Sequence, residues 1–200
     1  MLMNESTRGM TLVELLVGMS LLAVLVAMGA PSLGLYLQNA KVSNAAATYF
    51  SGVQQARTEA IRRNVQTEFV LTDTAITTAN LANALVPAVT GRNWVVRSRL
   101  DAVTFLPAIE SKAGSEGDNS AAGTGVQVLG AAVPVVFDGR IPFNGLGASN
   151  AAYTLDITNP SGGLCVAAGG PIRCRRITVS AGGQVGICDP AALVGDSRAC

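Results

Sequence analysis

Two hundred residues leave room for one globular domain once a membrane-length apolar run near the start is set aside. Fourteen Lys and Arg against thirteen Asp and Glu give a formal charge of +1, which excludes a global pull toward nucleic acid or anionic lipid and makes any such binding a local matter. With 22 glycines and 4% aromatic residues, the composition favours turns and short strands over a helical bundle.

The apolar run extends from Met10 to Leu33 and carries one charge, Glu14. As an α-helix it would measure about 36 Å, enough for a hydrocarbon core of roughly 30 Å. A carboxylate in such a span costs on the order of 2.5–3.5 kcal/mol at worst, so it demands a partner or a purpose. An ordinary signal peptide is the simpler reading, with Arg8 ahead of the run and the small residues Ala27, Gly29 and Ala30 as a cleavage site. The length of the run, Glu14 within it and helix-compatible sequence beyond Pro31 oppose that reading.

The stretch GMTLVE, Gly9 to Glu14, resembles the class III signal of type IV pilins and type II secretion pseudopilins. The resemblance implies a leader, residues 1–9, removed after Gly9 by a prepilin peptidase on the cytoplasmic side. Met10, standing where the family usually has Phe, becomes the N-methylated first residue of the mature chain. Glu14 falls where the family keeps a glutamate, and Pro31 where many pilins have a proline. Cleavage at Gly9 creates an ammonium with no partner in its own helix end, and a neighbouring subunit's Glu14 supplies the countercharge. Such a pair sets the stagger between subunits more than it stabilises them, which makes Glu14 an assembly residue.

Beyond the span, Leu35, Val42, Ala46, Tyr49, Val53, Ala56 and Ala60 recur at steps of three, four or seven and define one apolar stripe. Residues 34–64 therefore read as an amphipathic continuation of the helix that packs on a sheet. Pro31 cannot donate to the Ala27 carbonyl and clashes with it, and Gly29 and Gly34 weaken the same turn, so a bend or melting point is expected there. The helix should end near Asn64, with Arg62 and Arg63 suiting its C-terminal dipole and Glu59 spaced to pair with Arg63.

Strands are expected at 68–72, 94–100, 103–106, 126–129, 133–137, 153–157, 163–167, 173–180 and 184–188, nearly all separated by turn residues. Residues 73–90 are ambiguous, residues 110–125 read as a polar loop, and no internal repeat is visible. Three segments, QQARTEAIRRN from Gln54, GRNWVVRS from Gly91 and VVFDGRIPFNGLG from Val135, resemble the helix end and sheet of the FimT, FimU and GspH group of minor pilins. The expected fold is α+β: a pilin fold, with a long bent N-terminal helix on an antiparallel sheet head spanning residues 65–200.

Cys165, Cys174, Cys188 and Cys200 lie on the side of the membrane opposite Arg8, which the positive-inside tendency makes the oxidising periplasm. Disulfides are then the default, with three pairings possible. The turn at 168–171 would set Cys165 opposite Cys174 in a hairpin, favouring Cys165 with Cys174 and Cys188 with Cys200. A zinc site is disfavoured, because there is no Cys-x-x-Cys pair and no His.

Catalysis finds no footing: the chain lacks a His general base, a Gly-x-Ser-x-Gly elbow and Walker or dinucleotide glycine patterns, and no cofactor is implied. FimT-like minor pilins include DNA receptors with a Gly-Arg-x-Arg motif near the C-terminus. Here the corresponding stretch is GQVGIC, with Gln184 and Gly186 in place of the arginines, and the nearby Arg173, Arg175 and Arg176 alternate between strand faces. The resemblance therefore implies a membrane-stored minor type IV pilin that primes or caps pilus assembly, with a GspH-like pseudopilin of type II secretion as the alternative and a DNA-binding pilin as a lesser one. Its implied partners are other pilins or pseudopilins, the prepilin peptidase, the inner-membrane assembly platform and membrane lipid. Its implied location is the inner membrane, crossed once with the N-terminus cytoplasmic and the head periplasmic, and then a fibre.

Overall fold

The computed structural model describes residues 10–77, 81, 85–101, 104–113 and 125–200, and all of their side chains except those at 30 and 31. Contacts divide the chain into two compact units, Met1–Leu37 and Gln38–Cys200. The helix α1, Leu12–Arg63, contributes to both. In the first unit its segment Leu12–Gly29, of mean hydropathy 2.3 and with none of it buried, is long and apolar enough to cross a membrane. The helix continues unbroken through position 31, so the melting expected there does not occur. A proline removes one backbone donor, and the flanking hydrogen bonds of a long helix hold without it. Leu35 is 39% exposed and falls outside the apolar stripe, which starts at Val42 instead.

In the second unit, Val42, Ala46, Tyr49, Val53, Ala56 and Ala60 are all buried, at alternating steps of four and three along the helix. The helix stops where expected. Asn64 turns left-handed at φ 51°, the Val65 N–H donates to the Ala60 carbonyl and the Asn64 N–H to the Ile61 carbonyl. These two bonds and an αL asparagine form a Schellman ending that satisfies the last carbonyls.

Nine strands follow among the described residues: β1 Thr67–Thr72, β2 Thr90–Gly91, β3 Asn93–Ser98, β4 Glu110–Lys112, β5 Gln127–Val133, β6 Arg140–Phe143, β7 Ala152–Thr158, β8 Arg175–Val179 and β9 Val185–Cys188. They form two antiparallel sheets, ordered β4-β3-β1-β6 and β2-β5-β7-β8-β9. In the first, Phe69 is opposite Val96 and Leu71 opposite Trp94, and these four face the helix stripe. In the second, Tyr153, Leu155 and Ile157 alternate with half-exposed residues and join the same core. Phe69 stacks on Trp94 at 5.7 Å, Tyr49 meets Phe69 edge-on at 6.3 Å, and the buried Tyr49 hydroxyl donates to the Arg92 carbonyl at 2.7 Å.

The first sheet is covered on both faces, which is why every residue of β1 is buried. On the side away from the helix, Val70 and Val95 pack with Leu85, Ile76, Leu81 and Ala108. There Glu68 and Arg97, directly opposite in the ladder and 1% and 2% exposed, form an ion pair at 2.7 Å. The Arg97 guanidinium lies 3.6 Å from the Phe105 ring centroid, a cation–π contact that seats the connection after β3.

Several expected strands differ. Of residues 103–106 the described part contributes a bridge between Arg99 and Phe105 and no strand. The two segments 126–129 and 133–137 are replaced by the single strand β5, which stops before Pro134 because proline has no N–H for the ladder. Residues 163–167 are not a strand: 3-10 turns at Pro160–Gly162 and Val166–Ala168 replace it, with left-handed glycines at 163 and 169 bending the chain. The segment expected as a polar loop from Glu110 begins with β4, while 114–124 lie outside the described residues. The β2 and β6 strands carried no independent signal: one has two residues, and the other contains Pro142, tolerated because β6 is a sheet edge.

Gly52 lets the helix approach this core, since a Cβ there would stand 2.8 Å from Trp94 Cζ3. Gly52→Val should therefore destabilise the head by about 1–3 kcal/mol through overpacking, despite removing a helix glycine. A lowered Tm of the detergent-solubilised chain, with Ser51→Ala as an exposed neighbouring control, checks this; an unchanged Tm contradicts it.

Candidate assembly site

The start of α1 is built by Thr11 and Glu14. The Glu14 N–H donates to Thr11 Oγ1 at 3.2 Å, while Glu14 Oε2 accepts from both the Thr11 N–H and the Thr11 hydroxyl at 2.9 Å. This reciprocal arrangement is a capping box: two otherwise unsatisfied helix-start donors find acceptors, and the carboxylate stands at the positive end of the helix dipole. The charge in the apolar run is thus placed at the first turn and hydrogen-bonded within its own chain. Sequence reasoning missed this role for Thr11, although the spacing Thr-x-x-Glu ahead of an apolar run was its signal. Met10 is exposed beside the cap, and Gly9 lies outside the described residues.

The remaining expected site residues fall elsewhere. At the helix end, Arg62 and Arg63 both pair with Glu59 at 2.7 Å, and their hydrogen bonds, Arg62 first, hold its carboxyl below the ordinary range. Disulfides join Cys165 to Cys174 and Cys188 to Cys200, with Cα atoms 5.4 and 5.0 Å apart. The first closes a loop that holds one 3-10 turn, Val166–Ala168, instead of the expected hairpin, and the second ties Cys200 to β9.

The three arginines do not converge. Arg175 binds Asp189 at 2.7 Å, Arg176 forms a two-pronged pair with Asp156 at 2.6 and 2.9 Å, and the Arg173 backbone donates to Asn39. Two of the three charges are therefore matched by acids. A cleft of about 1000 Å³ includes Asp73, Arg92, Asn93, Gln127 and the Asp156–Arg176 pair in its lining. Among the described residues no cluster of three or more His, Cys, Asp or Glu could hold a metal ion.

Residues 6–30 match the family model for the prokaryotic N-terminal methylation motif. In fold the chain is similar to the type IV minor pilin FimU of Pseudomonas aeruginosa strain PAO1, at 14% identity and a TM-score of 0.50, covering 76% of this chain and 91% of that one. It also aligns with EpsH, the minor pseudopilin of the Vibrio cholerae type 2 secretion system, at 12% identity and a TM-score of 0.47, covering 76% and 99%. No curated protein matches in sequence. The chain thus joins an N-terminal methylation motif and an apolar helix to antiparallel sheets whose fold is similar to that of FimU.

The cap and the charge of Glu14 are separable. Glu14→Gln keeps a side chain able to close the capping box and should leave amide exchange at the start of α1 unchanged in detergent micelles. Thr11→Val, which removes the N-cap oxygen, should weaken that first turn by about 0.5–2 kcal/mol and speed exchange there. Equal exchange in the two variants would contradict the assignment.

Proposed function

We propose that the chain is a minor type IV pilin that primes or caps pilus assembly, stored as a membrane-anchored subunit until it enters the fibre. The observation that carries the proposal is the methylation motif at residues 6–30, set on an apolar helix with its one carboxylate at the fourth residue after Met10. In this reading the leader 1–9 stays cytoplasmic, a prepilin peptidase cuts after Gly9, and Met10 becomes the methylated N-terminus. Residues 10–33 hold the subunit in the inner membrane, a bend near Pro31 adapts the helix to its neighbours, and residues 65–200 form the periplasmic head, where its four cysteines oxidise. The inner-membrane assembly platform then extracts the subunit.

Glu14 is the assembly residue of this reading. Before assembly its carboxylate is hydrogen-bonded to Thr11, which lowers the cost of holding it near a membrane. During assembly it pairs with the N-terminal ammonium of an adjacent subunit, and the pair fixes axial register. DNA binding is no part of the proposal, because Arg175 and Arg176 already carry acid partners.

Pilus and secretion fibre are separated by one paired phenotype. A strain lacking the chain should lose surface pili and keep protein export through the outer membrane, and Glu14→Gln should fail to restore the pili. Lost export with intact pili would make the chain a GspH-like pseudopilin and overturn the proposal.

A further inference from the structure

Asn144 and Gly145 form the one Asn–Gly pair in the chain, and the fold dictates the glycine. An added Cβ at 145 would stand 2.5 Å from Oδ1 of Asn64, the left-handed residue that ends α1. Gly147, at φ 77°, is held in the same way, since a Cβ there would stand 2.6 Å from Ile61 Cδ1. The loop 144–148 is thus seated on the helix end, where Arg57 Nε donates to the Gly147 carbonyl at 3.3 Å.

Within the loop the Asn144 side chain is an acceptor. Its Oδ1 receives the Leu146 N–H and the Ala148 N–H, each at 3.0 Å, the local bonding that suits asparagine to turns. The main chain closes around it, with the Asn144 N–H donating to the Ala148 carbonyl at 2.9 Å and the Gly147 N–H to the Asn144 carbonyl at 2.8 Å. Two groups beside this acceptor stay unengaged. Among the described residues, neither the Gly145 N–H nor the Asn144 side-chain nitrogen has a hydrogen-bond partner. Asn144 is exposed, so water reaches it.

We propose that Asn144 is a self-modifying site, at which the folded loop converts the asparagine to aspartate. The Gly145 nitrogen attacks Asn144 Cγ and gives up its proton as the N–Cγ bond forms, and negative charge gathers on Oδ1. Backbone N–H groups about 2.7–3.1 Å from a developing oxyanion stabilise it, and the Leu146 and Ala148 amides already stand in that range. The Cγ–Nδ2 bond then breaks, and the nitrogen leaves as ammonia with the proton that Gly145 released. Water opens the succinimide at its Cγ–N bond, adding a hydroxyl to Cγ and a proton to the Gly145 nitrogen. The new acid ionises and keeps the two N–H donors, in charge-assisted bonds roughly twice as strong as neutral ones. Opening at the other carbonyl would thread an extra methylene through the turn that the Gly147 N–H closes, so aspartate is the product and not isoaspartate.

The test follows the full chain in detergent micelles at mildly alkaline pH, by mass spectrometry of the fragment that holds Asn144. A synthetic peptide of residues 141–150 is the unstructured reference. Conversion should run at least about tenfold faster in the folded chain, less than one such donor contributes in an enzyme site. The exposed Asn150, which precedes Ala151, should keep its amide over the same period. An equal or slower rate in the folded chain overturns the proposal, and so does isoaspartate as the main product. Ala148→Pro deletes one donor to Oδ1 and keeps the carbonyl that the Asn144 N–H needs; with an unchanged Tm it should lose most of the acceleration. An undiminished rate in that variant overturns the part given to the donors. If the variant does not fold, the comparison of chain with peptide decides alone.

Discussion

Two sheets share one helix face, and the head depends on that economy. The stripe from Val42 to Ala60 is the apolar cover for Phe69, Leu71, Trp94 and Val96 of the first sheet and for Tyr153, Leu155 and Ile157 of the second. Its small members, Ala46, Ala56, Ala60 and Gly52, bring the backbone close enough for the Trp94 indole to lie against the helix. A wide apolar face was not needed. Residues that alternate at steps of four and three trace a narrow seam, and the aromatic side chains arriving from the sheets supply the bulk.

The sheet edges are guarded by short or chemically blunted strands. At one end of the first sheet β4 has three residues, and at the other β6 carries Pro142. In the second sheet β2 has two residues, while beyond β9 the chain returns, with Asp189 bridged to Ala199 and Cys188 tied to Cys200. An edge without free ladder donors resists uncontrolled strand pairing. For a subunit whose proposed assembly runs through a helix, that protection keeps association on the intended surface. The same logic applies to charge inside the head: the buried Glu68 and Arg97 meet across β1 and β3, and Phe105 covers the guanidinium. Removing Glu68 would leave the buried Arg97 charge without its acid, whereas Arg99, 3.6 Å from the other Glu68 oxygen, remains a second partner if Arg97 is lost.

The helix and its end were legible because they rest on local chemistry. Apolar run, stripe, terminal arginines and Asn64 each act within a few residues of themselves, and the helix ends at Arg63. The longer strands β1, β3, β7 and β8 were legible from β-branched and aromatic runs. What escaped depends on distant partners. Nothing local marks Glu68 and Arg97 as interior: they become so by pairing with each other across the ladder, with the Phe105 ring over the guanidinium. The stretch 163–167 had strand-like composition, but left-handed glycines and a nearby disulfide curl it into turns. Arg173, Arg175 and Arg176 read as split between strand faces, but the acids that pair with two of them, Asp189 and Asp156, lie 14 and 20 residues away and left no local signal. The capping role of Thr11 was legible in its Thr-x-x-Glu spacing ahead of the apolar run.

The account turns on where the mature chain begins, since the ammonium that Glu14 is proposed to meet exists only after cleavage at Gly9. Mass spectrometry of the N-terminal peptide of the chain, purified from membranes or fibres of its own host, tests this most directly. The account predicts a peptide that starts at Met10 and carries one added methyl group on its α-amine. A peptide starting at Pro31, or one retaining residues 1–9, would contradict it.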